Sequence, residues 1–154
     1  MLKNFNVVKT ILLPMGALLL ILIALTACGG LGLRSQPITD IEWQWVSVTE
    51  AETRNVLDVP NPENYTIIFR EDGTFNGMAD CNVIQGTYNI PEEGQIDIQL
   101  GPTTLAFCGE DSLDQQYLAL LDSVAIGSPT RDRELALETG DGALRMLFQN
   151  GGES

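Results

Sequence analysis

The chain has no histidine, and its only lysines, Lys3 and Lys9, stand at the extreme N-terminus. Without histidine there is no Ser-His-Asp or Cys-His catalytic arrangement within the chain, and no histidine-ligated zinc. Basic residues are scarce altogether, with 8 lysines and arginines against 21 aspartates and glutamates in 154 residues. Beyond Lys9 the six arginines leave a formal charge of −15 (6 − 21). Nucleic-acid binding is disfavoured on that ground, because no basic face is available to displace phosphate counterions. Cysteine is sparse too, with three residues, and aromatic residues make up 6%. Hydrophobic residues nevertheless reach 44%, so the chain can bury a core and is not a disordered acidic tail. Its length suits one domain.

What the sequence does have begins with an address. Lys3 and Lys9 precede a run over residues 11–27 that carries no charge. A positive start, an apolar stretch and small residues near a cleavage point are the marks of an export signal over residues 1–27. Its end reads Leu25-Thr26-Ala27-Cys28-Gly29, which resembles a bacterial lipobox. A narrow peptidase pocket needs small side chains before the cut, and Cys28 supplies the thiol that takes the lipid. Acyl chains such as palmitate then hold the protein on a membrane, at about 0.8 kcal/mol per buried CH₂. An uncleaved anchor is the alternative, since the run reaches the lower limit of a spanning helix. Either reading expects the folded part outside the cytoplasm. Residues 28–37 are glycine-rich and read as a short flexible tether. Residues 38–150 then form the domain, and residues 151–154 a tail.

The domain reads as mostly β with one helix. Residues 41–48 place Ile41, Trp43 and Trp45 on one face of a period-two pattern. Residues 50–64, with Pro60 and Pro62, read as a long loop. Residues 65–70 and 74–79 flank Glu71-Asp72-Gly73 as a first hairpin, and 86–90 and 95–100 form a second. Over residues 112–124 the period switches to that of a helix, with Leu113, Tyr117, Leu120, Leu121 and Val124 on one stripe. Ser112 and Gln115 match a capping box at its start. After a break at Gly127-Ser128-Pro129, residues 134–138 and 144–149 predict a third hairpin.

In this order the pieces resemble a known family. A tryptophan strand leads to Phe69-Arg70-Glu71-Asp72-Gly73 and then to Phe75-Asn76-Gly77-Met78-Ala79-Asp80-Cys81-Asn82. Gly86-Thr87-Tyr88, Ile96-Asp97-Ile98, Thr103-Thr104 with Cys108, and a helix ending in Leu120-Leu121 follow. Leu135-x-Leu137 and residues 144–148 close the series. Over roughly residues 41–149 the chain resembles the META domain family, which includes the bacterial HslJ-like lipoproteins. It departs from the family at Asp80, where glycine is usual, and at Ala106-Phe107-Cys108, where Met-Ala-Cys is usual. The resemblance implies a small antiparallel, barrel-like β domain with a packed helix, a place in the cell envelope and a link to stress tolerance. It implies no catalytic residue and no cofactor.

Four groups of residues could carry chemistry. Once Cys28 is lipidated, Cys81 and Cys108 are an even pair in an oxidising compartment. A structural disulfide is the leading reading, worth about 3.5 kcal/mol in the chain-entropy model. Buried free thiols, or a redox or metal role, are the alternatives. Asp72-x-Thr74-x-Asn76-Gly77 imitates half of a calcium loop, but its twelfth position is Val83 rather than glutamate. A hairpin turn explains the same residues, so no metal is expected there. Glu92-Glu93 and Glu110-Asp111 could be acid–base pairs, yet they sit in polar, turn-like stretches where solvation is the default. Trp43 and Trp45 suit a core better than a stacking platform.

The sequence therefore points to a lipid-anchored, non-enzymatic binding module whose partners are other envelope proteins. Edge strands and the 50–64 loop are its expected contact surfaces. An envelope hydrolase or thiol-redox protein, using the carboxylates or the cysteine pair, is the alternative.

Overall fold

In the computed structural model, which describes residues 38–130 and 133–154, the first strand organises the rest of the sheet. Strand β1 (Ile41–Glu50) turns Trp43 and Trp45 inward, where they are 2% and 0% exposed. A bulge between Trp45 and Ser47 then shifts the inward phase by one residue, so that Val48 is the next buried side chain. Along one side β1 pairs with β9 (Leu144–Glu153) over nearly its whole length. On its other side it pairs first with β3 (Tyr65–Phe69) through Glu42–Gln44. Its far half then meets β2 (Val56–Asp58) through Ser47–Thr49. Strand β2 lies inside the stretch expected to be loop; all three of its residues are exposed, so no period-two signal marks it.

Antiparallel pairing continues from β3 to β4 (Thr74–Ala79), β5 (Asn82–Asn89) and β6 (Asp97–Leu100). Helix α1 (Asp114–Ser123) leads directly into β7 (Val124–Pro129), which pairs with β8 (Leu135–Thr139). The strand order is β6-β5-β4-β3-β1-β9-β8-β7. The two end strands approach just before β6 begins: Ile96 N–H donates to Ala125 (3.1 Å) and Gly127 N–H to Gly94 (3.1 Å). These bonds bend the sheet into a nearly closed barrel. Gly127 permits the approach, since a Cβ there would stand 2.8 Å from Ile96 Cγ2. Gly127-Ser128-Pro129 reads as a chain break in the sequence but forms the end of β7, with proline last, where it costs the ladder least.

The interior is filled by side chains from almost every strand. Trp45, Phe69, Phe75, Phe148, Ile67 and Ile84 are among the fully buried ones. Tyr117 of α1 stacks on Trp45 at 5.3 Å between ring centroids, with Tyr65 at 5.8 Å and Phe148 at 6.3 Å. A single helical side chain that reaches β1, β3 and β9 places α1 across one mouth of the barrel, with Leu120 and Leu121 buried beside it. The helix begins one residue later than the capping box suggests, with Leu113 and not Ser112 at the N-cap position. Ser112 Oγ accepts from Asp114 N–H (3.2 Å), while Gln115 donates to the Asp114 carboxylate instead of reaching back. The other end holds the start of the domain and the end of β9: Arg70 bridges Asp40 at 3.1 Å and donates to Ser154. Residues 151–153, read as a tail, continue β9 as strand.

Candidate functional site

Polar and apolar groups outside the core converge where β4 turns into β5, at the same mouth as α1. The turn is Asp80-Cys81, directly after the strand expected over residues 74–79. Asp80 has φ +58°, in the left-handed region that glycine enters freely and aspartate tolerates better than most residues. That conformation accounts for the glycine the family usually carries here. The Asp80 carboxylate accepts from Tyr65 Oη at 3.4 Å, and its N–H donates to Asn64 at 2.7 Å.

Cys81 is bonded to Cys108, with Cα atoms 5.6 Å apart. This is the disulfide that cysteine counting favoured. It ties the β4–β5 turn to the segment leading from β6 to α1. The neighbouring Asn82 is fully buried and holds the same segment with its side-chain amide. Its Oδ1 accepts from Ala106 N–H (2.7 Å), while Nδ2 donates to Ala106 C=O (3.1 Å) and to the buried Asp114 carboxylate (3.1 Å). One asparagine thus satisfies two backbone groups and fixes the start of the helix. Thr104 adds a third tie: its N–H donates to Val83 C=O (3.3 Å), and its hydroxyl accepts from Val83 N–H (2.9 Å).

The segment held this way carries Leu105 and Phe107 with their side chains in solvent, 79% and 84% exposed. Past Cys108 lies an open cleft of about 230 Å³ lined by Asp80, Cys108, Glu110 and Asp111 among others. Sequence reasoning missed both features. Residues 98–109 carry no charge, and an uncharged run with large apolar side chains at alternate positions reads as core, not as surface.

The remaining candidate residues are not brought together. Glu92-Glu93 lie in the β5–β6 connection and Glu110-Asp111 before α1, all exposed. In the calcium-like loop, Asp72 Oδ1 accepts from Thr74 N–H (3.0 Å) and Thr74 Oγ1 (2.6 Å), closing the hairpin turn. Among the described residues no group of three or more cysteines, aspartates and glutamates is placed to hold a metal. Among the described residues two carboxyls shift in acidity, both downward. The Thr74 hydroxyl and backbone lower Asp72, and the Thr139 hydroxyl and Ala143 N–H lower Asp141. A general acid would need the opposite shift. Burial pushes the Tyr117 hydroxyl well above the tyrosine value of 10.0, and that hydroxyl has no hydrogen-bond partner among the described residues. Trp43 and Trp45 serve the core, with Trp43 Nε1 donating to Ile38 C=O and Trp45 Nε1 to Ser47 C=O. Cys28 and the rest of the apolar N-terminal run lie outside the described residues.

Two solved structures share the fold. One is a DUF4847 family protein from Bacteroides vulgatus, 15% identical, covering 76% of this chain and 96% of its own, with a TM-score of 0.59. The other is a protein from Burkholderia xenovorans, 19% identical, covering 75% and 85%, with a TM-score of 0.56. No curated protein matches the sequence. The META domain profile matches residues 36–151, which takes in every strand and the helix but the last two residues of β9. The chain belongs to the META domain family.

Proposed function

We propose that the chain is a non-enzymatic binding module, lipid-anchored through Cys28 outside the cytoplasm, whose META domain engages other proteins of the cell envelope and contributes to stress tolerance. The observation that carries the reading is the filled barrel. Trp45, Tyr117, Phe69, Phe75 and Phe148 occupy the interior, where a β-barrel enzyme or small-molecule carrier would keep its cavity. Function then falls to the outer surface, where loops on a rigid sheet can vary without disturbing the core. The Cys81–Cys108 disulfide supports a location in an oxidising compartment. The acidic surface supports binding to proteins rather than nucleic acid.

Three measurements test this. Mass spectrometry of the membrane fraction should find Cys28 as a lipidated N-terminus; a mature chain still beginning at Met1 would refute the anchor. Affinity capture from envelope extract should retain a protein in fixed proportion to the chain. Turnover of glycosidic, ester or disulfide substrates by the purified chain alone would overturn the non-enzymatic reading.

A further inference from the structure

The proposal begins from the geometry at Ala106. Both its N–H and its C=O face the Asn82 amide, which requires extended backbone at that residue. The peptide bonds on either side are trans. Planarity then turns the Leu105 C=O and the Phe107 N–H away from Asn82. Neither group has a hydrogen-bond partner among the described residues. An acceptor and a donor spaced by one residue on the free side of an extended segment are what an incoming strand pairs with. Natural sheet edges are usually blunted by a charge or a proline. Here residues 103–108 contain neither, and Leu105 and Phe107 add two large exposed apolar side chains.

We propose that residues 104–107 are a docking edge for an extended polypeptide segment with apolar residues at alternate positions and a basic residue where it passes Cys108. The proposal rests on the protein-binding reading above and names its surface. Charge selects the occupant. Asp80, Glu110 and Asp111 rim the cleft at that end, and residues 38–154 carry 21 acids and five arginines. A second copy would bring the same sign to the same place. A lipid surface fits less well, because the same acidic rim of Asp80, Glu110 and Asp111 would face anionic headgroups.

The test selects a displayed library of short random peptides against the full chain in a non-ionic detergent and uses the enriched peptide as probe. Amide hydrogen exchange should show protection of residues 103–108 when the probe binds. Phe107→Ala should weaken binding about tenfold by removing an apolar anchor. Phe107→Pro should weaken it further, because it also deletes the outward N–H. Proline there restricts Ala106 to the extended conformation it already has, so the fold is preserved. Equal losses for Phe107→Ala and Phe107→Pro would overturn strand pairing. Protection of another segment would overturn this edge while leaving the protein-binding reading intact, whereas no enriched peptide at all would count against both. Protection of 103–108 that grows with chain concentration alone would assign the edge to a second copy and refute the proposal.

Discussion

The barrel wall is secured in two places, and the two are held by different chemistry. Along residues 94–96 and 125–127 the end strands close by backbone hydrogen bonds, and Gly127 lets them approach. Along residues 104–108 the chain is held to β5 mainly by side chains: the Asn82 amide, the Thr104 hydroxyl and the disulfide. Backbone closure consumes donors and acceptors on both strands and leaves nothing to offer. Side-chain attachment ties one side of a segment and leaves the other side's backbone free. The difference teaches that an open edge can be kept rigid without being capped.

The largest break in this comparison should come from the disulfide. Replacing Cys81 with serine should cost about 3.5 kcal/mol in denaturant unfolding, given a separation of 27 residues. Exchange at residues 103–108 should quicken before the 94–96 seam responds. A cost below about 1 kcal/mol would show that Asn82 and Thr104 hold the segment without the disulfide. Next, Asn82→Ala should cost about 3 kcal/mol, because it leaves Ala106 N–H and C=O unpaired and the buried Asp114 carboxylate with one donor fewer. The seam is tested by Gly127→Ala, whose methyl would press on Ile96 and on Leu137 Cδ2 at 3.2 Å. A loss of about 1–2 kcal/mol is expected, with exchange at 103–108 unchanged; a loss at both places would mean that the two regions are not independent.

The smallest effect should lie in neither region. Asp72 and Asp141 are held below the carboxylate value of 3.8 by hydrogen bonds that exist only in the folded hairpin turns. Their contribution is therefore present above pH 3.8 and is lost as pH falls through the lowered folded values. Asp72→Asn and Asp141→Asn should each flatten the stability profile in that acid range, measured by thermal unfolding, without altering exchange at the seam or at 103–108. An unchanged profile would show that the turns carry no acid sensitivity.

Much of the barrel was legible in the sequence because its signals are local. The alternation at Trp43 and Trp45, the turns at Gly73 and Gly142 and the helical stripe through Tyr117 each declare themselves within a few residues. The seam was not legible, since it joins residues 29 to 33 positions apart (125 − 96, 127 − 94) through Gly94 and Gly127, which read as turn residues. Strand β2 is too short and too exposed to show a period. At the candidate site the cysteine pair came from counting and Asp80 and Asn82 from family resemblance, but Leu105 and Phe107 were hidden by their own hydrophobicity. Only three-dimensional placement shows that an apolar side chain has been left outside.

The position of the two tryptophans has a practical consequence. Both indoles lie inside the barrel, and no residue of 103–108 belongs to the buried core that surrounds them. Intrinsic fluorescence should therefore be blue-shifted in the native protein and should move to the red only when the barrel opens. Detachment of the 103–108 segment should be optically silent, so a peptide could occupy that edge, or the disulfide could be reduced there, without a change in emission.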